Sequence, residues 1–82
     1  MIFENGECVM TYQSDKVFTD DEKESMLTRF NAIKSDEIYD IVITQSTVNL
    51  LYYPTKIMER LSVIDPSEIV IEKLVEVVGV KQ

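Results

Sequence analysis

The chain has 82 residues, 45% apolar and 28% charged, with two glycines and two prolines, the balance of a single folded domain spanning 1–82 with a small core. Fifteen Asp and Glu against eight Lys and Arg give a net charge of −7, dispersed along the sequence. That distribution disfavours direct binding to nucleic acid or to an anionic membrane, which draws on clustered cations, and makes a basic protein surface the easier partner.

Residues 1–12 read as a hairpin turned at Asn5-Gly6, since a tight two-residue turn needs positive φ, which these residues tolerate best. In that register Met1, Phe3, Cys8, Met10 and Tyr12 share an apolar face and Glu4 stands opposite Glu7. Like charges so opposed are unfavourable, so either the pair sits in water or the loop is longer than two residues. After a polar connection from Gln13 to Val17, the stretch FTDDEKE packs Asp20, Asp21, Glu22 and Glu24 into five positions. Thr19 and Glu22 have the spacing of a capping box, and acidic groups suit the positive end of a helix. Met26, Leu27, Phe30 and Ile33 follow at helical spacing. The cap accounts for most of the acidic run and leaves an excess available to a basic partner.

A second acidic group, Asp36, Glu37 and Asp40, precedes a strand from Ile38 to Gln45, in which Tyr39, Ile41 and Ile43 alternate with Asp40, Val42 and Thr44. Residues 47–53 alternate again, with Val48, Leu50 and Tyr52 on one face. Together they make a second antiparallel hairpin whose turn, at Gln45-Ser46, lacks the usual Gly or Asn. Leu51 and Tyr53 point away from Leu50 and Tyr52, and are either covered by a helix or exposed as an interface. Pro54 closes the strand, and Thr55 caps a short helix whose stripe is Ile57, Met58, Leu61 and Ile64. Asp65-Pro66-Ser67-Glu68 starts another helix, with Asp65 as cap, Pro66 at the first position and Glu68 three after the cap. Val70, Ile71, Leu74, Val75, Val77 and Val78 occupy an arc of roughly 160°, with Ile69 out of phase, and Gly79 ends the helix. Seven β-branched residues between Ile69 and Val80 also suit a strand. The order ββαββαα makes an α+β fold, a small antiparallel sheet of two hairpins with helices on one side.

Catalytic chemistry finds little support. There is no histidine, the commonest general base and metal ligand. The single Cys8 is expected on the inner face as an inert thiol, and it can form no internal disulfide, which fits a reducing, cytoplasmic setting. Asp36, Glu37 and Asp40 match no calcium loop, and no glycine-rich phosphate loop is present. The expectation is no enzyme, no cofactor and no metal. A helix-turn-helix reading of the last two helices meets Glu68, Glu72 and Glu76 where a DNA reader needs cations. Neither a basic, apolar leader nor a membrane-spanning run is evident at the N-terminus.

Two expectations about function remain. In the first the chain is a small acidic interaction module, a non-catalytic inhibitor or regulator occupying a basic surface of a partner, such as one that otherwise handles nucleic acid. Its partner-binding residues are Asp20, Asp21, Glu22, Glu24, Asp36, Glu37, Asp40, Leu51 and Tyr53. Size and charge are similar to those of accessory proteins of phages and mobile elements, with no motif carrying the likeness. In the second the chain is a self-associating structural or regulatory domain, a homodimer that buries its surplus apolar surface.

Overall fold

A computed structural model describes residues 1–79. It contains β1 (Ile2–Glu4), β2 (Val9–Gln13), α1 (Asp20–Ile33), β3 (Ile38–Ile43), β4 (Thr47–Tyr52), α2 (Pro54–Leu61) and α3 (Ser67–Val78). The strands form one antiparallel sheet in the order β1-β2-β4-β3, so each hairpin contributes one inner strand and the two hairpins meet at β2 and β4. One face carries Met10, Val48, Leu50, Tyr52 and Ile38. These join Met26 and Phe30 of α1, Ile57 of α2, and Val70, Leu74 and Val77 of α3 in a single buried cluster. The helices therefore lie on that side of the sheet, and the order ββαββαα is as the sequence predicts.

The first hairpin differs in register. Ile2 pairs with Tyr12, Phe3 with Thr11 and Glu4 with Met10, while Asn5 N–H donates to the Val9 carbonyl at 2.8 Å. Gly6, Glu7 and Cys8 thus form a three-residue loop, with Gly6 at φ 95°. The longer loop separates Glu4 from Glu7, relieving the clash that the shorter one imposes. Because strand side chains alternate, the odd shift in register exchanges faces: Ile2 packs against the core, Phe3 goes to the other side, and Met1 and Cys8 are exposed. The expected buried thiol is a surface group.

In the second hairpin Thr44 supplies what the turn sequence lacks. Its hydroxyl oxygen accepts from Thr47 N–H at 3.0 Å, and its own N–H donates to the Thr47 carbonyl at 2.9 Å, so the side chain imitates a backbone turn. Neither Gln45 nor Ser46 has a positive φ. Within β3 the pairing steps from Ile38↔Tyr52 to Asp40↔Leu51. Tyr39 is the extra residue of a bulge, and the bulge reverses the parity of the strand. Ile38, not Tyr39, consequently shares the core face with Ile41 and Ile43.

The helix ends follow from local chemistry. Thr19 Oγ1 accepts from Glu22 N–H at 3.1 Å and Glu22 Oε1 accepts from Thr19 N–H at 2.9 Å, completing the expected capping box. Thr19→Ala should lower stability by about 1 kcal/mol, measurable by urea denaturation, and Thr19→Ser should restore most of it. Leu27, expected in the stripe of α1, is 45% exposed. Pro54 begins α2 as its first residue rather than merely closing β4, so Thr55 lies inside the helix. Ser62, at φ 55°, ends α2 in the left-handed region, which takes Ile64 out of the expected stripe and leaves it 96% exposed.

α3 starts one residue later than expected, with Pro66 and not Asp65 as its N-cap, and Asp65 accepts from Ser67 N–H at 2.9 Å. The Ser67 hydroxyl donates to Glu4 at 2.6 Å, tying edge strand β1 to the start of the helix. At the far end Arg29 of α1 donates to the carbonyls of Val77 and Val78 at 2.6 and 3.2 Å. Gly79 ends α3 at φ 78°. The strand alternative for this segment gives way to the helix through Val78, and its last residue, Val80, lies outside the described residues. Among the described residues no helix is long and apolar enough to cross a membrane.

Candidate functional site

The two acidic groups of the sequence do not converge. They stand at opposite ends of α1, whose 14 residues span about 20 Å at 1.5 Å each. Asp20, Asp21, Glu22 and Glu24 are all exposed, but Glu22 is engaged in the cap. Glu37 is also committed: its carboxylate accepts from Arg60 of α2, its side chain retains 14% exposure, and its carbonyl accepts from Tyr53 N–H at 2.8 Å. Glu37 therefore fastens the start of β3 to α2. Asp36 stays exposed in the turn before β3, where the Ser35 hydroxyl accepts from the N–H groups of Glu37 and Ile38.

The remaining three expected residues do come together, on the face of the sheet that carries no helix. Leu51, half-buried, stands between Val9 on β2 and Asp40 on β3. Beyond it Tyr53 stacks on Tyr39, with ring centroids 4.3 Å apart and planes at 19°, and Lys56 lies over the Tyr53 ring at 4.8 Å. Val42, 48% exposed, and Phe3, 39% exposed, extend the apolar surface towards the two sheet edges. At its centre Thr11 Oγ1 donates to Asn49 Oδ1 at 2.7 Å, and Asn49 Nδ2 donates to the Val42 carbonyl.

Asp40 has a second task here. Its carboxylate accepts from Ile41 N–H at 2.8 Å. Thr44 N–H bonds Thr47, so antiparallel alternation turns the Ile41 N–H away from β4. Asp40 thus covers a donor on an edge strand, and a charge at that position discourages uncontrolled strand addition. Tyr39 is the member of this face that sequence reasoning placed on the same side as Ile41 and Ile43; a bulge moves it, and nothing in the local sequence announces one. Its phenol pKa is raised, first by desolvation and then by the nearby Tyr53, Cys8 and Asp40.

Two carboxylates give the chain a defined acid response. Glu22 and Asp65 both have lowered pKa values, owing first to the backbone N–H groups of Thr19 and Ser67 respectively. A carboxylate held low in the folded state adds stability above its unfolded pKa, near ~4, and loses it as pH falls through the folded value. Neutralising the excess negative charge on acidification acts in the opposite sense, so the readout is a difference between variants. The thermal midpoint of wild type relative to Asp65→Asn should fall as pH drops below the ordinary carboxylate range. A pH-independent difference would remove this carboxylate as a source of acid sensitivity.

No group of three or more metal-ligating side chains gathers among the described residues. Compared with protein families, with curated proteins and with solved structures, the chain matches none.

Proposed function

We propose that this chain is a small, non-catalytic protein-binding module that docks through the helix-free face of its sheet onto a basic surface of a partner and acts there as an inhibitor or regulator. The observation that carries the reading is the stacked Tyr39–Tyr53 pair, set beside Leu51 and Asp40 on a face that no helix covers. Stacked tyrosines supply a large contact area with few torsions to freeze, as residues at the centre of protein interfaces do. The net charge of −7 supplies the long-range term: it steers the chain towards cations and speeds encounter, while the apolar face sets the lifetime of the complex. Inhibition then needs nothing beyond occupancy, as on a partner surface that would otherwise handle nucleic acid. An exposed, unpaired Cys8 suits a reducing, cytoplasmic setting.

A second reading has one observation in its favour. Among the strand residues of this face Asp40 alone carries charge, so two copies could pair their apolar residues here provided that the two Asp40 carboxylates stay at the solvated rim. Such a homodimer would be insensitive to salt, whereas the heterologous complex should weaken as salt screens the steering charge.

Affinity capture from lysate of the source organism distinguishes them, using tagged wild type, Leu51→Arg, and a triple variant with Asp20→Asn, Asp21→Asn and Glu24→Gln. Glu22 is spared because it caps α1. The expected result is a basic protein held at low salt, released at high salt and lost by Leu51→Arg, with recovery by the triple variant falling at intermediate salt. Equal recovery by wild type and Leu51→Arg would overturn the assignment of the face.

A further inference from the structure

On the helical side of the sheet a groove of about 560 Å³ opens between the end of α1, the start of β3, α2 and α3. We propose that this groove is a binding site for a small amphipathic monoanion, an apolar tail ending in a carboxylate. Its volume falls within the ~300–1,000 Å³ typical of small-molecule sites. Ile33, Ile38, Ile57 and Ile69 line it, and Ile69 is the residue out of phase with the apolar arc of α3. Its placement towards the groove accounts for an isoleucine on an otherwise charged helix face.

The charge around the groove runs against that of the whole chain. Lys56, Arg60 and Lys73, three of the chain's eight cations, line it from α2 and α3. Asp36 and Glu37 lie on the opposite wall, and Glu37 is neutralised by Arg60. The other two cations are loosely engaged. Lys56 lies 4.8 Å from the Tyr53 ring centroid, and Lys73 stands 3.7 Å from Glu76 with both side chains substantially exposed. Contacts of these two kinds contribute at most about 1 kcal/mol each when exposed, so either ammonium can turn to a carboxylate at small cost. The chain as a whole carries a net charge of −7; here an anion meets two adaptable ammonium groups above an apolar wall. One carboxylate matches that excess, and a tail against the isoleucines removes apolar area from water.

The test uses the full chain, labelled with nitrogen-15, titrated with decanoate, with decanol and decyltrimethylammonium as chain-length controls. Decanoate should give saturable amide shifts at Ile33, Ile38, Ile57 and Ile69, with both controls weaker. A Lys56→Gln, Lys73→Gln double variant should bind about tenfold more weakly. Ile69→Trp, which fills the groove without changing charge, should abolish the shifts while its spectrum stays dispersed. Equal or tighter binding of decyltrimethylammonium, shifts centred on Val42 and Leu51 of the opposite face, or no saturable shift would overturn the proposal. Lys56 touches both regions, lying over Tyr53 and lining the groove, so Ile69→Trp, which alters the groove alone, separates failure of this site from failure of the docking face.

Discussion

Leu50→Ala should destabilise the fold by about 2–5 kcal/mol, whereas Leu51→Ala, one residue along the same strand, should cost less than about 1 kcal/mol. Leu50 is fully buried at the centre of the cluster between sheet and helices, and its truncation leaves a cavity that a well-packed core closes only in part. Leu51 is half-buried on the helix-free face, where water can occupy the vacated space. For a domain of this size total stability is on the order of 4–12 kcal/mol, so the first change threatens folding and the second does not. Urea denaturation of both variants gives the comparison directly. Near-equal losses would mean that the outer face is a second core, and Leu51 could not then serve as a docking residue.

How far this division is legible in the sequence differs between elements. The alternation of Val48, Leu50 and Tyr52 assigns β4 its faces correctly, and with them the outward direction of Leu51 and Tyr53. The Thr19–Glu22 cap and the Asp65 start likewise announce α1 and α3, because each signal is made by side chains within a few residues of the backbone groups they satisfy. Register is different. Asn5-Gly6 marks where a turn occurs but not how many residues it takes, and one extra residue moves Phe3 to the other side and leaves Cys8 in the loop; the opposed Glu4 and Glu7 were the local hint. The bulge at Tyr39 depends on what β4 presents across the sheet, so no window of β3 residues contains it. The acidic clusters illustrate a further limit. Their side chains are near in sequence to the ends of one helix, and helix length alone keeps them apart.

The second large effect is expected at Arg29. Arg29→Met should cost about 1.5–3 kcal/mol, the range for hydrogen bonds made by a charged group, although the aliphatic part of the side chain is kept. The guanidinium spans from α1 to the last turn of α3 and satisfies the carbonyls of Val77 and Val78; carbonyls in the last turn of a helix generally need such an outside donor. A cation there also complements the negative end of the helix. Because the arrangement uses two nitrogens of one planar fork, Arg29→Lys should recover only part of the loss. Hydrogen exchange should show the last turn of α3 opening first in Arg29→Met, with the sheet amides less affected. A uniform loss of protection would assign the effect to global unfolding and not to this clamp. Gly79 has a related constraint: a Cβ there would lie 3.1 Å from the Arg29 guanidinium, so its substitution should combine backbone strain with displacement of the clamp.

The docking proposal requires that the face bearing Tyr39, Leu51 and Tyr53 be free in the purified chain. Sedimentation velocity over a wide range of concentration, at low and at high salt, tests that requirement most directly. A monomer under all conditions, with Leu51→Arg sedimenting identically, is the expected result. A salt-insensitive dimer that Leu51→Arg dissociates would contradict it, because the face would then be closed by a second copy of the chain.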